Sequence, residues 1–150
     1  MSKFRFLYRV KLLFSIIFIF ILVSCTKVTG EQQINFQIVT MQQALTDKSL
    51  SDFMQFFTRD FVGNEKLSKA ELQQLIYFHF IRNRNIETYK WQADIIVKEQ
   101  RADVELYVVV SGSNSNIPER GRVFTIKSSW IKIKDSWMIN KASWEDAITN

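Results

Sequence analysis

The chain predicts an α+β domain in which three helices cover one face of a curved antiparallel sheet of about four strands, preceded by an N-terminal signal helix. Two observations carry that prediction. From about residue 32 to residue 83 apolar side chains recur with helical spacing, and from Ile86 onward they alternate with the two-residue spacing of strands. The switch occurs once, without an internal repeat, so the helices must pack on the sheet for either layer to bury its apolar side. A length of 150 residues, 47% of them hydrophobic, suffices for one core and one domain. Four Gly and one Pro exclude a low-complexity linker, and a single Cys excludes a disulfide framework.

Gln32 to Leu45 places Ile34, Ile38, Met41 and Leu45 on one stripe between polar Gln and Asn, which predicts the first helix. Thr46 to Ser49 interrupts it. Ser49 or Ser51 is placed to cap a short second helix, with Leu50, Phe53, Met54, Phe56 and Phe57 on one face and an end near Arg59 and Asp60. Gly63 and Asn64 supply a turn. Ser68 and Glu71 have capping-box spacing, each able to satisfy the other's free N–H, and open a third helix over about 68–83.

Tyr89, Trp91, Ala93, Ile95 and Val97 then alternate with Lys90, Gln92, Asp94 and Lys98. After the polar turn 99–101, Ala102, Val104, Leu106, Val108 and Val110 alternate in the same way, so the two runs predict a long hairpin. Ser111 to Gly121 is a loop by composition, and Val123 to Lys134 and Trp137 to Trp144 complete the sheet.

The first 24 residues have a different character. Lys3, Arg5, Arg9 and Lys11, with no acid among them, precede an apolar run from Leu12 to Val23. At about twelve residues that run is shorter than the roughly 20 of a membrane span and fits the core of a signal peptide, about 7 to 15. Leu22, Val23, Ser24 and Cys25 follow it and resemble the lipobox of bacterial lipoproteins. The resemblance implies that residues 1–24 are cut away, that the thiol of Cys25 takes a diacylglycerol and its new amino group an acyl chain, and that 25–31 is a tether to a domain over 32–150. Thr26 in place of an acid after the cysteine implies the outer membrane, facing the periplasm. The competing reading is an uncut anchor with Cys25 a bystander.

Removing the leader takes the 20 basic residues to 16, against 15 acidic ones. Nucleic-acid binding draws on clustered Lys and Arg, and the remainder has no run longer than Arg82-Asn83-Arg84, so no nucleic-acid partner is expected.

The order of elements, with Ala44 to Met54 as a helix-helix step, Asp60 to Asn64 before the third helix, and Ser129 to Trp144 at the end, resembles the nuclear transport factor 2-like superfamily, including SnoaL-like domains. That resemblance implies a cone whose helices and concave sheet enclose a pocket, and a range of functions from dehydratases, isomerases and cyclases to carriers and inert adaptors.

The residues themselves limit the chemistry. His79 is the only histidine, which excludes any two-His metal motif, and neither a metal nor a cofactor is expected. Helical spacing puts His79 with Leu72, Leu75 and Ile76, where it could act as a general acid or base paired with Asp60 on the Phe53 face of the second helix. The alternative is a half-buried histidine and a loop-capping aspartate. Tyr77 and Tyr89 are candidate hydrogen-bond donors, and Tyr89 and Trp91 share a sheet face as candidate pocket walls; equally, the aromatics fill a large core. Tyr77, Phe78, Phe80 and Ile81 ring the third helix, which points to a second buried side and a dimer or partner. Arg82, Arg84 and the Arg120 segment either hold an anionic group or are solvated charges.

The function these features predict is that of a membrane-anchored envelope lipoprotein whose domain binds a small apolar molecule or an envelope protein without catalysis. The alternatives are an isomerase, hydratase or cyclase using Asp60 and His79, and a structural homodimer.

Overall fold

The computed structural model describes residues 28–113 and 120–147, the side chains of Trp91 and Arg120 apart. Leu22, Val23, Ser24 and Cys25 lie outside the described residues.

Helix α1 (Gly30–Thr46) begins two residues before Gln32 and takes the end of the expected tether. Its capping box is the cause: Thr29 Oγ1 accepts from the Gln32 N–H at 3.2 Å, and Gln32 Oε1 accepts from the Thr29 N–H at 3.0 Å. The helix closes with Lys48 in the left-handed region at φ 55°, Ser49 N–H donating to Ala44 O and Lys48 N–H to Leu45 O. Glycine usually holds that position. Here the lysine adds a tie, since its ammonium donates to the Asn83 carbonyl at 2.9 Å.

Helix α2 (Leu50–Met54) is shorter than expected, and strand β1 (Phe57–Gly63) occupies the place given to its second half. Ser49 sits at the N-cap without accepting a backbone N–H; its hydroxyl donates to Asp52 instead. Ile139 donates its N–H to Phe56 O at 2.8 Å, so pairing with the last strand overrides the helical spacing of the phenylalanines. Asn64 and Glu65, both left-handed, turn the chain into the short strand β2 (Leu67–Ser68), with Lys66 N–H closing onto Gly63 O.

Helix α3 (Lys69–Arg82) has the expected capping box, with Ser68 Oγ accepting from Glu71 N–H and the Glu71 carboxylate accepting from Ser68 N–H. The Ser68 hydroxyl and backbone N–H hold the Glu71 carboxyl below its ordinary range. The ionised form is therefore favoured more in the folded than in the unfolded chain. Its contribution is complete above the ordinary glutamate range and is lost as pH falls through the depressed folded value. Urea midpoints of the wild type are expected to fall through that acid window more steeply than those of Ser68→Ala.

Strands β3 (Asn85–Lys98), β4 (Arg101–Ser113), β5 (Arg120–Ile133) and β6 (Ser136–Asp146) form the long part of a six-stranded sheet in the order β2-β1-β6-β5-β4-β3. The sheet thus has two more strands than expected, and β1 pairs with β6 in parallel while the other pairs are antiparallel. All three helices lie on its inner face. Their core contribution includes Ile34, Ile38, Phe53 and Leu72; the sheet's includes Val104, Leu106, Val108, Trp130, Trp137 and Ile139. Trp130, 1% exposed, donates its indole N–H to Ser128 Oγ at 2.9 Å, and Trp137 donates to Gln33 Oε1 on α1 at 3.1 Å.

Register shifts decide which side chains face the helices: Asn140 is an extra residue in β6, which moves the inward set from Trp137 and Ile139 to Ala142 and Trp144, and β3 carries another. The β3–β4 register shifts between Lys90 and Gln92, so Trp91 is an extra residue in β3. Ala93 and Ile95 pair with inward Leu106 and Val104, whereas Tyr89 pairs with outward Val109. A bulge exchanges the two faces of a strand, as a slip of one residue does. The expected common face of Tyr89 with Ala93 and Ile95 is therefore broken. Thr88 and Lys90 take the inner side in its place.

Candidate functional site

Between the helices and the inner face of the sheet lies a cavity of about 280 Å³. Helix α1 lines it with Ile38, Met41, Leu45 and Gln42, and helix α3 with Leu72, Leu75, Ile76 and His79. Leu106 and Val108 of β4, Phe124 and Ile126 of β5, and Ala142 and Trp144 of β6 form the floor. The inward positions of β4 and β5 follow from strand alternation and those of β6 from the extra residue Asn140, and the cavity remains because the two helices lie over opposite parts of the sheet, α1 across β3 and α3 against β1.

The lining is almost wholly apolar, and its exceptions are specific. Among the described residues His79 is its one titratable side chain, and its exposure places it at the edge that solvent reaches. Thr88 Oγ1 is buried on the lining without a hydrogen-bond partner. An unpaired buried hydroxyl costs about 1–3 kcal/mol, which a bound molecule with one polar group can recover. Strand alternation without the bulge assigns Thr88 to the solvent side, so the bulge is what brings it to the cavity. Gln42 has the character of a surface residue of an amphipathic helix, and the gap between the helices puts it on the lining.

Of the candidate site residues Asp60, Tyr77, His79 and Tyr89, His79 lines the cavity. Asp60 is exposed on β1, where the strand places it on the opposite side from buried Phe61, and it does not line the cavity. No hydrogen bond joins Asp60 to His79 among those described, so the expected acid–base pair is not brought together. Tyr77 is exposed on the outer side of α3. Tyr89 stands on the outer face of the sheet and donates its hydroxyl to Glu87 at 2.9 Å; that hydrogen bond pushes its pKa up. Tyr107 does the same with Glu105. Both phenols are committed to carboxylates and point away from the cavity. Trp91 contributes the bulge through its backbone.

The outer face of the sheet also carries a broad depression of about 710 Å³. Its lining is predominantly acidic, with Glu65, Asp94, Asp103 and Glu105 against Lys127 and Lys141; Lys127 lies 3.8 Å from Glu105, and Ser129 donates to Asp103 at 3.0 Å. Among the described residues no group of three His, Cys, Asp or Glu side chains is placed to hold a metal ion. No described helix is long and apolar enough to cross a membrane.

No family model matches the chain, and no curated protein matches it in sequence. Solved structures do match it. An NTF2-like protein with a cystatin-like fold from Novosphingobium aromaticivorans superposes at a TM-score of 0.67 and 12% identity, over 80% of this chain and 83% of that one. A second protein from that organism, described as a candidate scytalone dehydratase, superposes at 0.69 and 12% identity, over 80% and 85%. Bd1075 of Bdellovibrio bacteriovorus superposes at 0.68 and 11% identity, over 77% of this chain; the chain spans 41% of its length. At these identities the likeness is one of architecture, and the architecture is that of the NTF2-like cone.

Proposed function

We propose that this NTF2-like domain holds one small apolar molecule in the cavity between its helices and its sheet, and that a lipid on Cys25 keeps it on an envelope membrane, the outer one facing the periplasm. Its work is binding and not turnover. The observation that carries the reading is the lining itself: about 280 Å³ bounded by aliphatic and aromatic side chains, with one titratable group at the edge. An apolar cavity of about 150 Å³ holds benzene. The larger volume suits a two-ring compound or a chain of about ten carbons, at the lower end of the roughly 300–1,000 Å³ of ligand pockets. Thr88 supports a molecule with one hydrogen-bonding group at its buried end.

The membrane part of the reading rests on the order of basic segment, apolar run, Leu22-Val23-Ser24 and the single Cys25. Two or more acyl chains anchor a protein stably, each buried methylene contributing about 0.8 kcal/mol.

Native and intact mass spectrometry of the full-length gene product, extracted from the envelope of the expressing cell, tests both parts. The expected result is a mature chain beginning at Cys25 with added acyl mass, carrying a discrete apolar adduct. Cys25→Ala is expected to accumulate as uncut precursor or in the soluble fraction. A bare chain that also fails to bind anilinonaphthalene sulfonate removes the binding reading; an unmodified Cys25 with unchanged membrane retention removes the anchor.

His79 carries a second reading, in which the bound molecule undergoes proton transfer at the cavity edge. His79→Gln separates the two, since it leaves binding in place under the first and abolishes conversion of the adduct under the second.

A further inference from the structure

The helical layer carries apolar side chains on the side turned away from the core. On α1, Phe36 is 73% exposed and Val39 is also exposed, and the helical period puts both on the pole opposite buried Ile34 and Ile38. On α3, Tyr77, Phe78 and Ile81 are exposed, the last at 68%, opposite buried Leu72. Both helices lie on the same face of the sheet and line the same cavity with their buried poles, so both outer poles face away from the sheet. Val28, just before α1, is exposed as well.

We infer that this outer side of α1 and α3 docks on the surface of a bilayer, the one that holds the lipid on Cys25. The inference rests on the anchor proposed above and adds an orientation to it. Three peptide steps separate Cys25 from Val28, and at about 3.3–3.6 Å per residue they span about 10 Å. Helix α1 therefore starts at the headgroup layer. Over its 17 residues it carries a single charge, Glu31, an unusual composition for a solvent-facing helix and a suitable one for the boundary between headgroups and acyl chains, which such helices enter by about 5–10 Å. Exposed Arg82 and Arg84, at and just beyond the C-terminal end of α3, are placed to meet anionic headgroups. The outer face of the sheet also exposes Tyr89 and Ile96, but it sets Ile96 among Asp94, Asp103 and Glu105, an acidic surface that anionic headgroups repel.

The test uses the acylated protein in vesicles of phosphatidylethanolamine and phosphatidylglycerol. Acylation occupies the only native thiol, so Phe36→Cys, Ile81→Cys and Lys127→Cys each accept a nitroxide at one known position. Spectra at 36 and 81 are expected to relax with oxygen and to be shielded from a water-soluble nickel chelate, with position 127 on the outer sheet face showing the reverse. Equal access to the nickel chelate at all three positions overturns the proposal. Shielding from both reagents at 36 and 81, with crosslinked dimers, overturns it in favour of a second copy on this face.

A second arm keeps failure of the anchor distinct. Residues 26–150, which keep every described residue and carry neither the apolar leader nor Cys25, are floated with the same vesicles. Phe36→Asp combined with Ile81→Asp is expected to lower their partitioning by at least about tenfold, with the far-UV spectrum unchanged. An unchanged partition coefficient counts against the surface whether or not Cys25 is acylated in the cell.

Discussion

Trp130→Ala is expected to lower the unfolding free energy by about 3–5 kcal/mol, measured from urea midpoints by far-UV circular dichroism. That is a large share of the roughly 5–15 kcal/mol that holds a domain together. Two causes act together. The indole is 1% exposed, packed in the core that joins helices and sheet, so its removal leaves a void that the strands on either side cannot close. Its N–H also occupies the Ser128 hydroxyl, which otherwise has only a long contact to the Val104 carbonyl at 3.5 Å. Trp130→Phe retains most of the volume but strands that hydroxyl, and it is expected to lose less than half as much. Equal losses for the two variants would mean that the hydrogen bond, not the packing, dominates at this position.

Val108→Trp is expected to remove ligand binding while leaving the domain folded. Val108 projects from β4 onto the cavity floor between Leu106 and Val110, paired across the sheet with Phe124. Overpacking a tight core usually costs about 1–3 kcal/mol. Here the added ring has about 280 Å³ of empty apolar space to enter, so the measured cost is expected at or below the lower end of that range. Affinity for anilinonaphthalene sulfonate is expected to fall by about a hundredfold, equivalent to about 2.8 kcal/mol. Retained affinity in a stably folded variant would place the probe elsewhere on the molecule.

Much of the architecture is legible in the residues because the relevant forces are local. Ser68 and Glu71 announce the start of α3 to the residue, since a capping box needs only three peptide units. The alternation in β4 survives intact because it pairs antiparallel and without a register shift with β5, and the extra residue in its other pairing sits in β3. The misplacements have non-local causes. Phe56 and Phe57 extend the spacing of α2, and only the distant Ile139 draws them into a strand. The extra residue in β3 has no mark in its own composition; it becomes visible when β4 supplies the register.

The cavity followed the same rule. Leu72, Leu75, Ile76 and His79 share a helical face that arithmetic finds. Thr88 and Gln42 are polar residues whose position depends on where a bulge falls and how far apart two helices lie. A helical period turns Asp60 toward the Phe53 face, and the strand at that position exposes it instead.

The parallel contact between β1 and β6 has a consequence for the order of assembly. Phe57 meets Ile139 and Gly63 meets Ala142, partners roughly 80 residues apart in the chain. Contacts of that separation form late, because a long loop must close before they contribute. The sheet therefore cannot be completed until the C-terminal strand has emerged from the ribosome, and β1 and β2 wait unpaired with the rest of the sheet until then. The strand order that closes the sheet thus also delays its closure.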